Sequence, residues 1–146
     1  MRPRGWLVAV LVLSGLGDAL GGLWALIDWR SVAAFLAHAI PDWSAQQRAA
    51  RLALADDAMH QLWANLGTAL LALAATQLLA ARWVARGRRA GYDLARVIGW
   101  ALLLAGGLMA IAVPQLSSLL TESLRGLAIV ALAVWARTDL EAREET

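Results

Sequence analysis

The chain has 146 residues, of which 60% are hydrophobic, and its mean hydropathy is +0.59. Because an ordinary soluble domain is about 45–50% apolar, this composition disfavours a water-soluble globular protein and indicates a chain that lies in lipid. The absence of cysteine excludes disulfides, thiolate metal sites and thiol catalysis. The formal net charge is only +2, and the thirteen basic residues are all arginine. Most lie at the ends of apolar runs, so membrane topology explains them and no nucleic-acid partner is expected.

Four apolar runs approach the length of about 20 residues that a helix needs to cross the hydrocarbon core. They cover residues 6–28, 60–83, 97–113 and 117–136. The third run is short and ends before Pro114, which lacks the amide proton that a continuing helix would use. The fourth run is a span only if Glu122 and Arg125 lie in the membrane or in a protected cavity. The predicted fold is all-α, an integral membrane four-helix bundle that forms a single four-span domain over residues 1–146.

The distribution of arginines predicts the orientation. With both termini cytoplasmic, nine arginines lie on the inner side and three on the outer side, in agreement with the positive-inside rule. The inner set is Arg2, Arg4, Arg82, Arg86, Arg88, Arg89, Arg96, Arg137 and Arg143, and the outer set is Arg30, Arg48 and Arg51. Trp6, Trp83, Trp100 and Trp135 fall near the inner interface, and Trp24, Trp29 and Trp63 near the outer one, as expected for interfacial anchors. Since the composition is typical of a GC-rich bacterial genome, the predicted location is the bacterial cytoplasmic (inner) membrane, with several spans.

The outer loop between the first two spans contains helix signals. Ser31 can cap a short apolar turn over residues 32–40, which Pro41 breaks. We therefore expect a short interfacial helix in this loop. The stretch from Ser44 to Gln47 fits a capping box and is expected to open a helix that continues into the second span.

Asp18 is the most informative residue of the first span. A carboxylate near the centre of a bilayer costs several kcal/mol unless a partner neutralises it. Helical spacing places Ser14, Asp18, Gly21, Ala25 and Asp28 on one face, and the small residues of this face predict that it points into the bundle. Asp18 is either a protonated or hydrogen-bonded packing residue or a site for a ligand, an ion or a proton.

Arg125 lies at a similar depth in the last span. Asp18 is roughly 18 Å along the helix from Trp6, and Arg125 is roughly 15 Å from Trp135, at about 1.5 Å per residue. The sequence therefore predicts a buried polar site that links the first and last helices. Glu122, one turn from Arg125, is the competing partner. A network of Asp18, Glu122 and Arg125 would be negative, or neutral with one carboxyl protonated, and could hold a cation or a proton.

The second helix adds polar residues near the outer interface. Asp57 and His60 are neighbours at i,i+3, and Thr68 lies on the same face with Asn65 beside it. Together with His38 and Glu122, Asp57 and His60 could bind zinc or another divalent ion, but two histidines without a recognised motif do not predict a metal site. No catalytic residue can be assigned. The predicted ligand or proton site comprises Asp18, Arg125, Glu122, Ser14, His60, Asp57, Asn65 and Thr68.

The stretch from Gly22 to Leu36, GLWALIDWRSVAAFL, resembles the end of the first helix in DoxX-like small bacterial membrane proteins. In that family a glycine and aromatic pair precedes a short loop and an apolar Ala-Phe-Leu turn. The resemblance covers about fifteen residues and does not extend to Asp18, Glu122 or Arg125. It implies a four-span fold in the inner membrane and no catalytic residues.

Three classes of function remain open. The first, which we favour, is a non-enzymatic membrane protein that binds a lipid, a quinone or another small apolar molecule, or that serves as an accessory subunit. The second is a small proton-coupled transporter or channel that works as an oligomer, because four short helices leave little room for a pathway. The third is an intramembrane enzyme acting on a lipid, with His60, Asp57 or Asp18 as acid or base. No cofactor is predicted. The expected partners are the lipid bilayer, a small apolar ligand, and further copies of the chain or a larger membrane complex.

Overall fold

The computed structural model describes residues 3–28, 56–112 and 120–144. These ranges form four α-helices and contain no strand. The helices are α1 (Pro3–Ile27), α2 (Asp56–Ala85), α3 (Arg89–Ala112) and α4 (Leu120–Glu144). The predicted all-α fold is therefore confirmed for this part of the chain. The predicted interfacial helix over residues 32–40 and the capping box at Ser44 lie outside the described residues.

The described part of each predicted span lies in a helix, but the helices differ in how apolar they are. Among the described helices, Pro3–Ile27 and the His60–Ala85 part of α2 are long and apolar enough to cross a membrane. Buried helices of soluble proteins and signal sequences meet the same criterion. Helices α3 and α4 are less apolar, because α3 begins with three charged residues in its first eight positions and α4 contains Glu122 and Arg125.

The chain divides into two compact units. The terminal unit consists of Met1–Leu16 and Ala75–Thr146, and the central unit is Gly17–Ala74. The terminal unit therefore contains the first part of α1, the end of α2, and both α3 and α4. The central unit contains the remainder of α1 and the first part of α2.

Glycines bring α1 and α2 into close contact in the central unit. A Cβ built on Gly22 would lie 2.8 Å from the carbonyl oxygen of Gly67, and one built on Gly67 would lie 2.8 Å from the carbonyl oxygen of Gly22. Gly22 also faces Leu71, whereas Leu26 faces Gly67. The two helices therefore run antiparallel in this unit, with their backbones as close as small residues allow.

The terminal unit has a second close contact between glycines. A Cβ on Gly99 of α3 would lie 2.8 Å from the carbonyl oxygen of Gly126 of α4, and one on Gly126 would lie 2.5 Å from the carbonyl oxygen of Gly99. The side-chain hydroxyl of Ser123 donates a hydrogen bond of 3.3 Å to the carbonyl oxygen of Leu103. Helices α3 and α4 are thus joined by backbone contact and by a hydrogen bond one turn away.

The turn between α2 and α3 is a Schellman motif. Gly87 has a φ of 70°, its amide donates to the carbonyl oxygen of Val84 at 2.9 Å, and the amide of Arg88 donates to that of Trp83 at 2.9 Å. This pair of bonds satisfies carbonyl groups that the helix end would leave without partners. Gly91 packs against the same helix end, since a Cβ there would lie 2.5 Å from the Val84 amide nitrogen.

Each of the four described helices buries some large apolar side chains and exposes others. On α1 the buried side includes Leu7, Leu11 and Ala25, and the opposite side exposes Leu13 at 70%, Leu20 at 69% and Ile27 at 81%. Large exposed apolar side chains also occur on α2, α3 and α4. They are Leu62, Leu66, Leu78 and Leu79 on α2, Val97, Trp100, Leu104 and Leu108 on α3, and Leu124, Leu127, Val134 and Trp135 on α4.

Candidate functional site

Asp18 and Ser14 are buried one turn apart on the same face of α1. The exposed fraction is 7% for Asp18 and 9% for Ser14, so the face that the sequence predicted to point inward is buried at these two positions. The Ser14 hydroxyl has no hydrogen-bond partner among the described residues. Asp28, predicted on the same face, is exposed because it follows the last residue of the helix. The buried polar side chains of α1 are therefore in the middle of the helix.

Asp18 lies one helical turn before Gly22, the residue of α1 that packs against Gly67 and Leu71 of α2 in the central unit. Ala74 of the same unit is 2% exposed. A carboxyl group buried inside a protein is costly unless it is protonated or finds a polar partner.

Two glycines beside Asp18 are not required for helix packing. A Cβ on Gly17 would meet no described atom within 4 Å, and one on Gly21 would meet only Leu70 Cδ1 at an ordinary 3.9 Å. Gly22, in contrast, is held against Gly67. The missing side chains at Gly17 and Gly21 leave the flank of α1 next to Asp18 uncovered by the described part of the chain.

Glu122 and Arg125 form an ion pair on α4 in the terminal unit. Arg125 Nη2 lies 2.5 Å from Glu122 Oε2, and the two side chains are 22% and 38% exposed, respectively. The competing pair of Arg125 with Glu122 is therefore present in the structure. Asp18 belongs to the central unit, and its predicted pairing with Arg125 stays a prediction. Ser123 and Gly126, which contact α3, lie between and beside the paired residues, so the pair is held next to the α3–α4 contact.

The remaining predicted site residues lie on α2. His60, Asn65 and Thr68 are exposed, and the Thr68 hydroxyl donates to the carbonyl oxygen of Ala64 at 2.8 Å. The side chain of Asp57 lies outside the described ones. Within the described ranges, no group of three or more His, Asp or Glu residues could hold a metal ion. His60, Asn65 and Thr68 are thus exposed, whereas Ser14 and Asp18 on α1 are buried.

Two buried polar residues were missed by the sequence reasoning. Gln77 of α2 is 0% exposed and Tyr92 of α3 is 1% exposed, and the Tyr92 hydroxyl has no hydrogen-bond partner in the described part of the chain. Burial raises the pKa of Tyr92; the charge of Arg4 partly offsets this, and that of Asp139 adds to it. Gln77 could have been noticed as a polar interruption of a predicted span.

Trp63 also departs from its prediction. It was interpreted as an interfacial anchor, but it is only 8% exposed, and its indole N–H has no hydrogen-bond acceptor among the described residues. Trp24, the other described tryptophan predicted near the outer interface, is 45% exposed. Trp63 therefore contributes to the packing of the central unit.

An ionic cluster joins α3 and α4 in the terminal unit. Arg137 pairs with Asp93 and, at 2.9 Å, with Glu141. The hydrogen bond that Arg137 donates to Glu141 and the charge of Asp93 raise the pKa of Arg137. The Arg4 guanidinium donates to the carbonyl oxygen of Ala85 near the α2–α3 turn. Asp93 and Glu141 are therefore both paired with Arg137 within the terminal unit.

Comparison of the chain with protein families, with curated proteins and with solved structures gives no match. The resemblance of Gly22–Leu36 to DoxX-like proteins therefore stays a prediction. The function has to be argued from the arrangement of the residues themselves. The feature that carries most weight is the burial of Asp18 on a helix whose opposite face is apolar and exposed.

Proposed function

We propose that the chain is a non-enzymatic integral membrane protein that binds a small apolar or lipid-like molecule at the buried polar face of α1. The observation that carries this proposal is that α1 buries a carboxyl group and exposes large apolar side chains on its opposite face. Asp18 is 7% exposed, whereas Leu13, Leu20 and Ile27 are 69–81% exposed. Water disfavours the exposure of these large apolar side chains, which lie mostly inside soluble proteins. A bilayer stabilises this feature of α1.

Exposed apolar residues support placing α3 and α4 in the bilayer as well. Val97 and Leu108 of α3 are 65% and 67% exposed, and Leu124 of α4 is 65% exposed. The charged residues that make these helices less apolar lie near helix ends or in the Glu122–Arg125 pair, where they are partly neutralised. The proposed topology is four spans with both termini on the cytoplasmic side of a bacterial inner membrane.

Asp18 is the proposed contact for the polar end of the bound molecule. A buried carboxyl group can accept or, when protonated, donate a hydrogen bond. Gly17 and Gly21 leave space beside the carboxyl group. Apolar walls with a few polar groups are the usual composition of a small-molecule site. The apolar body of the ligand would lie along α1.

The Glu122–Arg125 pair enters the proposal as a second polar element. Its connection to Asp18 rests on the matched depths in the sequence. The resemblance to DoxX-like proteins supports the proposed four-span fold and inner-membrane location. An accessory role in a membrane complex is the other form of the proposed function.

Native mass spectrometry of the chain in mild detergent tests the binding proposal. We expect wild-type protein to retain a bound molecule of reproducible mass, and Asp18→Asn to lose most of it. Asp28→Asn is the matched control, because it makes the same chemical change at an exposed position just beyond the end of the same helix. A ligand-free homo-oligomer, or equal retention by Asp18→Asn, contradicts the proposal. The first of these results would shift support to transport.

A further inference from the structure

The turn between α2 and α3 carries a concentration of exposed positive charge. Five arginines occur between residues 82 and 96. Arg82, Arg86 and Arg88 are exposed, as is Arg89. Arginine binds phosphate groups strongly, because its planar guanidinium can donate two parallel hydrogen bonds. The turn therefore has the chemistry of a surface that recognises phosphate.

The acidic residues at this end of the terminal unit do not pair with Arg82, Arg86 or Arg88. Arg82, Arg86 and Arg88 form no ion pair or side-chain hydrogen bond within the described ranges. Asp93 and Glu141, which could have served as partners, contact Arg137 instead. The positive charge of the turn is therefore available to an external anion.

The backbone of the turn is held in one conformation. The Schellman bonds of Gly87 and Arg88 close the end of α2, and Gly91 packs against Trp83 and Val84. Arg82 lies in the last turn of α2, and its carbonyl oxygen accepts a hydrogen bond of 3.2 Å from the amide of Arg86 in the turn. The backbone that carries these arginines is thus fixed by hydrogen bonds and packing.

Exposed apolar side chains lie directly beside the exposed arginines. Leu78 and Leu79 are 38% and 40% exposed, and they precede Arg82 by about one helical turn. Trp83 is partly exposed at the same level, a position that suits an aromatic residue at the boundary between lipid tails and headgroups. An acyl chain next to the leucines would place its phosphate next to the arginines. A nucleic acid has no acyl chain that would pack against these leucines.

We propose that the α2–α3 turn binds the headgroups of anionic phospholipids in the inner leaflet, through Arg82, Arg86 and Arg88. This inference rests on the proposed membrane location, and it is distinct from ligand binding at Asp18. Each basic residue close to an anionic membrane surface strengthens binding by about one kcal/mol. Three such residues therefore give a measurable preference for anionic over zwitterionic lipid.

The test uses the full chain purified in a neutral detergent. Titration with phosphatidylglycerol and with phosphatidylcholine, followed by native mass spectrometry, gives the two affinities. We expect wild-type protein to bind phosphatidylglycerol at least about tenfold more tightly, and the triple variant Arg82→Gln/Arg86→Gln/Arg88→Gln to lose this preference. The control is Arg30→Gln/Arg48→Gln/Arg51→Gln, which removes the same net charge from the predicted outer loop and is expected to keep the preference.

A second measurement separates this inference from the proposed function. Wild-type protein is reconstituted into phosphatidylcholine vesicles and extracted at alkaline pH. If it stays in the vesicles but binds both lipids equally, or if both triple variants lose the preference alike, the headgroup inference is wrong and the membrane location stands. If alkaline extraction releases it, the membrane location fails and the inference fails with it.

Discussion

Gly22 of α1 and Gly67 of α2 are in mutual backbone contact, since a Cβ on either residue would lie 2.8 Å from the carbonyl oxygen of the other. No side chain can be added there unless the helices separate. We expect Gly22→Ala to lower the free energy of unfolding by about 1–3 kcal/mol, the usual effect of excess volume in a packed interior. Thermal unfolding in detergent, followed by circular dichroism, measures the change.

Gly17→Ala is the matched control for this prediction. A Cβ at Gly17 meets no described atom within 4 Å, and alanine is a better helix former than glycine by about 0.5–1 kcal/mol. The variant should be as stable as wild type or slightly more so. Equal destabilisation by the two alanine substitutions would contradict the close approach of α1 and α2 at Gly22.

Gly87 should be required for its backbone conformation. Its φ of 70° lies in the left-handed region, where a residue with a Cβ is strained. We expect Gly87→Ala to destabilise the protein by about 1 kcal/mol and Gly87→Asn by less, because asparagine tolerates this conformation better. The unfolding temperatures of the two variants check the order. If Gly87→Ala were the more stable of the two, the Schellman assignment would be wrong.

The buried side of α1 could be predicted from the sequence because helical periodicity is a local property. Ser14, Asp18 and Ala25 recur at helical spacing, and all three are buried. Helix ends were predicted less well, since an apolar run marks where a helix can cross lipid and not where it stops. Helix α3 begins at Arg89, before its apolar run, because the Gly87 turn allows a helix to start there. Helix α4 continues to Glu144, beyond the predicted span.

Pairwise contacts of polar residues could not be predicted from depth alone. Asp18 and Glu122 were both reasonable partners for Arg125 in the sequence, and the structure brings Glu122 to it at 2.5 Å because i,i+3 neighbours on a helix meet without any tertiary requirement. The burial of Trp63 and Gln77 depends on which helix faces pack together. The packing of these faces depends on segments that are far apart in the sequence, so the pattern within one helix does not reveal it.

Tyr92 should make the stability of the protein sensitive to alkaline pH. Its pKa is raised above the ordinary 10.0, with burial as the largest cause, so the folded state keeps the phenolic proton at a pH where the unfolded state has lost it. The stabilising contribution is complete below about pH 10 and is lost as the pH rises through the folded-state pKa. Denaturant unfolding between pH 8 and pH 11 should show this loss.

The variant Tyr92→Phe separates the contribution of Tyr92 ionisation from other effects of alkaline pH on stability. The Tyr92 hydroxyl has no hydrogen-bond partner among the described residues, so its removal should leave stability at neutral pH unchanged or slightly higher. The difference in stability between wild type and the variant should then grow in favour of the variant above pH 10. Parallel pH profiles for the two proteins would show that Tyr92 ionises equally in the folded and unfolded states.

The predicted interaction of Asp18 with Arg125 can be separated from the observed pair of Arg125 with Glu122 by two double-mutant cycles. Removing one member of a buried pair leaves the other charge unpaired and typically costs about 3–5 kcal/mol, whereas removing both costs less. If Asp18 and Arg125 interact, Asp18→Asn/Arg125→Gln should be more stable than the sum of the single changes predicts.

The second cycle uses Glu122→Gln with Arg125→Gln. Both side chains are partly exposed, so we expect a coupling of less than about 1 kcal/mol, typical of exposed ion pairs. A large coupling in the first cycle and a small one in the second would assign the main role of Arg125 to neutralising Asp18. Additive effects in the first cycle would remove Arg125 from the proposed site and leave Asp18 to be stabilised by protonation, by other contacts or by the bound molecule.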